Sequence, residues 1–146
     1  MREEDRVVQT VQILLVDDDD VDAETVLRGF KKHKIANPIT VCDNGADALK
    51  KLRGDDCEPL TRPYIILLDL NMPGMNGFEF LDELRADSTL QNSVVFVLTT
   101  SKAKEDRARS YKHNVAGYIV KSNVGPSFQL GVEMLGAYWT TVTLPA

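Results

Sequence analysis

Ile65, Ile66, Leu67 and Leu68 run without a polar break into Asp69, and Pro73-Gly74 turns the chain four residues later. An unbroken apolar run bounded by turn residues suits a strand buried on both faces, as in a parallel sheet. Asp69 therefore stands at the carboxyl end of a central strand, where open α/β sheets bind their ligands. A carboxylate in that position needs a metal partner or a reaction to perform.

The rest of the chain repeats the pattern. Gln12 to Val16 is a first buried strand and ends in Asp17-Asp18-Asp19-Asp20. A helix follows from about Val21 to His33, with Val21, Val26 and Phe30 on its apolar stripe. Pro38 to Cys42 alternates and reads as an edge strand, and Asn44-Gly45 opens a short helix through Ala46, Ala48, Leu49 and Leu52. The polar stretch Gly54 to Arg62 is a loop leading to the strand that ends in Asp69. Phe78, Phe80, Leu81 and Leu84 mark a helix from about Asn76 to Asp87, and Val94 to Leu98 is a buried strand ending in Thr99. A charged helix from about Lys102 to His113 has only Ala103, Ala108 and Tyr111 to bury. Ala116 to Val120 is a fifth strand, ending in Lys121. Gly125-Pro126 then starts a last helix with Phe128, Val132 and Leu135 on its core face. Strand and helix alternate with short connections, which predicts a parallel sheet with helices on both faces.

Length and charge limit the function classes. The chain's 146 residues suit one domain with a real core. A net charge of −5 and the lack of any Lys/Arg-rich block argue against nucleic acid as a partner. No apolar run is long enough to span a membrane, and the charged start lacks a secretory signal. Cys42, read as a buried strand residue, and Cys57, in a loop, form neither a disulfide framework nor a metal-binding spacing. These features predict a cytoplasmic protein.

Four strands thus end in Asp17/Asp18, Asp69, Thr99 and Lys121, and parallel strands bring those ends to one edge. Several carboxylates so close repel unless a cation sits among them. Hard oxygen ligands with room left for water suit Mg²⁺. An ammonium and a hydroxyl alongside could hold two further oxygens of a phosphoryl group. Nucleophile, cation, compensating charge and positioning are what in-line transfer to a carboxylate requires. A calcium loop fails as an alternative. Taking Asp18, Asp20 and Asp22 as its first ligands puts Ala23 where Gly is needed and Gly29 where Glu is needed.

Val16-Asp17-Asp18, the run from Leu68 to Gly77, Leu98-Thr99 and Gly117-Tyr118-Ile119-Val120-Lys121 together resemble the receiver domains of two-component response regulators. The resemblance covers about residues 10 to 136. It implies a single flavodoxin-like receiver domain over residues 1–146: a doubly wound, five-stranded parallel sheet of order 2-1-3-4-5. It also implies that Asp69 accepts a phosphoryl group from a histidine kinase. Asp18, Asp69 and the backbone carbonyl of Asn71 would hold Mg²⁺ directly, and Asp17 through water. Thr99 and Lys121 would contact the acyl phosphate, and Tyr118 matches the aromatic that rotates inward as the threonine moves. On this reading the chain is a phosphoacceptor and not an enzyme acting on other substrates. The alternatives are a phosphate shuttle or sink without its own output and, remotely, a small phosphatase of the haloacid-dehalogenase type. That last family needs a second acidic pair after the lysine, where only Glu133 stands.

Three further expectations follow. Lys121-Ser122 replaces the family's usual Lys-Pro, leaving the isomer of that bond open. Thr100, where the family usually has a small residue, could narrow access to the phosphate. His33 and His113 read as surface residues. Beyond the last helix only about Tyr138 to Ala146 remains, so a stand-alone regulator is expected. The long loop, Leu98-Thr99-Thr100-Ser101 and the tail resemble the small response regulators that partner phytochrome-type histidine kinases; its downstream protein is not legible. Tyr138, Trp139, Val142 and Leu144 are too apolar to be left in water. The tail 138–146 reads as the arm of a symmetric homodimer or, alternatively, as a segment folded back on its own last helix.

Overall fold

The computed structural model describes residues 10–121, 133–138 and 144–145. Nine elements follow in order: β1 (Gln12–Val16), α1 (Asp20–Lys32), β2 (Ile39–Cys42), α2 (Gly45–Arg53), β3 (Tyr64–Leu68), α3 (Gly77–Ala86), β4 (Val94–Thr99), α4 (Lys104–Lys112) and β5 (Gly117–Val120). Residues 133–138 are also helical. The strands form one sheet of order β2-β1-β3-β4-β5, parallel at every pairing. All five residues of β3 are buried, as the continuous apolar run requires.

Alternation along the strands divides the core in two. Leu14, Val16, Ile66, Leu68, Val95 and Val97 point to the face covered by α2 and α3, where they meet Leu49, Leu52, Phe80, Leu81 and Leu84. Ile13, Leu15, Ile65, Leu67, Phe96 and Leu98 point the other way, against Ala23, Val26 and Phe30 of α1 and against Leu135. The caps are local. Asp19 accepts from the backbone N–H groups of Val21 and Asp22, and Asn76 forms a capping box with Glu79. Gly54 ends α2 in the left-handed region at φ 76°.

Two helices depart from expectation. Val21 is 74% exposed, and the buried stripe of α1 is Ala23, Val26 and Phe30. At 100° per residue Val21 lies well around the helix from Val26, so its apolar character does not place it on the stripe. In α4 the expected core residues Ala103, Ala108 and Tyr111 are exposed, and the one buried residue is Ser110, whose hydroxyl donates to the Asp106 carbonyl.

Polar contacts hold α4 instead. The Arg109 guanidinium lies 4.1 Å over the Phe78 ring, and His113 Nε2 is 2.6 Å from Asp82. Arg85 of α3 donates to the carbonyls of His113 (2.7 Å), Asn114 (3.0 Å), Gln91 (2.7 Å) and Ser93 (2.8 Å). Burial pulls the Arg85 guanidinium below its ordinary pKa. Neither histidine stands free on the surface: His113 closes this clasp, and His33 is the half-buried C-cap of α1, 3.6 Å from Glu133. Cys42 is half-buried, not fully buried, and Cys57 is exposed.

Tyr138 and Leu144 pack against the α1 face of their own sheet, Tyr138 edge-on to Phe96 at 5.0 Å. That is the folded-back arrangement for these two residues. Trp139, Val142, Phe128, Val132 and the Gly125-Pro126 start of the last helix lie outside the described residues, as does Ser122 and with it the Lys121-Ser122 bond.

Because four carbonyls lose a charged donor together, Arg85→Met should lower stability by about 2–4 kcal/mol in chemical denaturation. Arg85→Lys should recover only part of it. An unchanged midpoint for Arg85→Met would show that α4 is held by something else.

Candidate functional site

The parallel register brings Asp17, Asp69, Thr99 and Lys121 to one edge of the sheet, each at or just past the end of a strand. Backbone bonding continues the ladder into the site. The N–H of Asp69 donates to the carbonyl of Val16 (2.9 Å), Asp17 N–H to Cys42 (3.0 Å) and Lys121 N–H to Thr99 (2.6 Å). The side chains therefore project from rigid backbone.

Asp17, Asp18 and Asp69 each offer a carboxylate oxygen, and these oxygens all lie within 4.8 Å of one another. Asp17 and Asp69 are buried and Asp18 is half-buried. Like charges at that spacing repel by roughly 3–4 kcal/mol per pair at an effective dielectric of about 20. Oxygen-only donors with one side open to solvent fit a hard divalent cation, which takes the remaining positions as water or phosphate oxygens.

Lys121 compensates part of the charge. Its ammonium lies 2.5 Å from Asp17, 3.3 Å from Asp22 and 3.5 Å from Asp69. Burial alone would pull the lysine pKa down; the hydrogen bond to Asp17 and the charges of Asp69, Asp17 and Asp22 outweigh it and raise the pKa. Burial raises the Asp17 pKa, with the Lys121 hydrogen bond opposing.

The remaining site residues surround this core. Thr99 is fully buried, and its hydroxyl oxygen accepts weakly from Ser101 N–H at 3.4 Å. Tyr118 is half-buried and donates its hydroxyl to the Ser101 carbonyl at 2.9 Å; burial raises its pKa. Ser101 thus organises the turn after Thr99, and its own hydroxyl donates to Asp106 at 2.6 Å. Thr100 is exposed beside it. Asn71 is exposed, and its N–H points to Asp69 Oδ1 at 3.3 Å. Asp19 is a helix cap, while Asp20 is an exposed first-turn residue of α1.

Two contributors were not legible as site residues. Asp22 lies among the acids yet reaches Lys121, about a hundred positions away in sequence; nothing local signals the pair. Gly77 starts α3, where a Cβ would come within 2.7 Å of the Leu70 Cα and 2.8 Å of the Asp69 carbonyl. Its place in the run from Leu68 was visible, but the close approach behind it was not. Gly74 has φ 74°, a left-handed conformation that glycine adopts without strain.

The fold and the site define a doubly wound α/β domain with an acidic, cation-ready pocket at the carboxyl edge and a lysine paired into it. The profile of the response regulator receiver domain matches residues 13–127. The chain belongs to the response regulator receiver family. Over 92% of both chains it is 36% identical to the response regulator Rcp1 of Synechocystis sp.. The crystal structure of the Mn²⁺-bound form of Rcp1 is similar with a TM-score of 0.81 at 35% identity, covering 93% of this chain and 99% of that one. The phosphorylated cyanobacterial phytochrome response regulator RcpA is similar with a TM-score of 0.84 at 31% identity, covering 94% and 100%. Family membership replaces the dehalogenase alternative.

Gly77→Val puts its branched carbon against backbone that cannot yield. It should cost about 1–3 kcal/mol and disturb the amide signals of Asp69 and Leu70 in NMR spectra. Unshifted signals would mean that α3 can move away freely.

Proposed function

We propose that this chain is a phosphorylation-operated switch in which Asp69 accepts a phosphoryl group from a histidine kinase. The observation that carries the reading is the meeting of Asp17, Asp18, Asp69 and Lys121 at one sheet edge. A carboxylate oxygen of Asp69 forms the new P–O bond while the P–N bond of a phosphohistidine breaks, its electron pair leaving on the imidazole. Lys121, 3.5 Å from Asp69, is placed to donate to a phosphoryl oxygen, and Thr99 stands on the neighbouring strand end. Asp18, Asp69 and the Asn71 carbonyl would hold Mg²⁺, with Asp17 acting through water. The cation would neutralise the carboxylates and the oxygens of the transferring group. The Mn²⁺-bound form of Rcp1 supports a divalent ion here.

Output runs through the turn after Thr99. A threonine drawn toward the phosphate shifts Ser101, whose carbonyl is the acceptor of the Tyr118 hydroxyl. The aromatic then changes position on the β4–β5 face, which a partner reads. Likeness to the phytochrome response regulator RcpA supports a phytochrome-type kinase as the donor. Drawing phosphate from such a kinase supports a cytoplasmic location. The only chemistry in this reading is its own phosphorylation and dephosphorylation. The whole chain acts as one receiver domain.

Incubation with a cognate kinase, Mg²⁺ and radiolabelled ATP, followed by partner capture, tests the reading. Wild type should be labelled, and Asp69→Asn should show at least a hundredfold less label. Normal labelling of Asp69→Asn would defeat it. Labelling without phosphate-dependent capture would favour a shuttle or sink.

The tail extends the reading to self-association. Tyr138 and Leu144 dock on their own sheet, and the same apolar surface on a second copy can receive an exchanged tail carrying Trp139 and Val142. Removing residues 139–146 should convert dimer to monomer in light scattering; an unchanged dimer would assign the interface elsewhere.

A further inference from the structure

We infer that Asp22 is a positioning residue of the phosphorylation site, tethering the Lys121 ammonium beside Asp69 when a divalent cation occupies the acidic pocket. The inference rests on the reading of Asp69 as phosphoacceptor and adds a residue to that site.

The lysine has three N–H donors and three carboxylates within reach: Asp17 at 2.5 Å, Asp22 at 3.3 Å and Asp69 at 3.5 Å. Two of these acids, Asp17 and Asp69, belong to the oxygen cluster that fits a cation, and Asp22 stands outside it. A cation in the cluster would engage Asp69 directly and Asp17 through water, and would repel the ammonium. Asp22 is then the carboxylate left to hold Lys121 in place. It is also well fixed. Its own N–H donates to the capping carboxylate of Asp19 at 3.1 Å, and the next residue, Ala23, anchors α1 to the core. The Lys121 side chain is 9% exposed and that of Asp22 35%, so the tether forms at the mouth of the site, partly screened. A charge-assisted hydrogen bond in that setting gives an effect of tenfold or less.

Uptake of phosphate from acetyl phosphate by the full-length chain, at saturating Mg²⁺, separates the inference from the reading beneath it. Wild type should be phosphorylated and Asp69→Asn should not. If Asp69→Asn is phosphorylated as well, the underlying reading fails. Given that it is not, Asp22→Asn should slow uptake roughly five- to tenfold, Asp22→Glu should restore the rate to within about twofold, and Asp20→Asn should leave it within about twofold. In a Lys121→Met background, adding Asp22→Asn should change the rate by less than about twofold. As a second measurement, the Lys121 side-chain ammonium signal of the Mg²⁺-loaded chain should shift or broaden in ¹⁵N-edited NMR for Asp22→Asn and not for Asp20→Asn. An unaltered rate and signal in Asp22→Asn would overturn the inference. So would an equal loss with and without Lys121, because Asp22 would then act through its general field and not through the lysine.

Discussion

Crowded negative charge at the end of β3 is the constraint on which this structure depends. Two buried aspartates and a third half-buried one lie within a few ångströms, and one ammonium is shared by Asp17, Asp69 and the neighbouring Asp22. Such a cluster is unfavourable in isolation, so the surrounding backbone must hold it rigidly. The main-chain ladder does this by running past the strand ends into Asp17, Asp69 and Lys121. Proximity of those groups is thereby fixed by the sheet and not by the side chains' own attraction. A site held in repulsion responds strongly to added charge, whether a cation that relieves it or a phosphoryl group that rearranges it.

The two faces of the sheet divide the work. The α2/α3 face is packed by large apolar residues, and its close approach at Gly77 sets α3 directly behind Asp69. Beyond β4 the structure relies on directional polar contacts: the Arg85 fan, the Arg109–Phe78 stack and the His113–Asp82 pair. Helix α4 buries a serine and no large apolar side chain. Elements with little apolar burial open at low free-energy cost. On the proposed function, the region that answers phosphorylation is the one held by contacts that can exchange partners.

Much of this was legible because apolar runs and turn residues carry strong local signals. The sheet's strands, the helix starts near Asn44 and Asn76 and the convergence of Asp17, Asp18, Asp69, Thr99 and Lys121 follow from pattern and parallel connection. The departures in α1 and α4 have one cause. Apolar character alone points to Val21 on the α1 stripe and to Ala103, Ala108 and Tyr111 in the core of α4, yet all four are exposed. In helices this polar, position around the axis and the neighbouring side chains decide burial. His113 and His33 read as surface residues for a different reason: the acids they meet, Asp82 and Glu133, lie on other elements.

By itself, the sequence determined the α/β alternation, the carboxyl-edge placement of the acidic residues and the family to which the chain belongs. Those properties depend on local periodicity and on residue types at fixed spacing. Tertiary structure alone decided which acids the lysine pairs with, how α4 is held and where Tyr138 and Leu144 dock. Each of these is a contact between residues far apart in the chain, and only the folded backbone sets the distance between them. The stretch from Ile65 to Asp69 shows both sides. Its apolar run specified a buried strand, while the surroundings of its terminal carboxylate were assembled by four other segments.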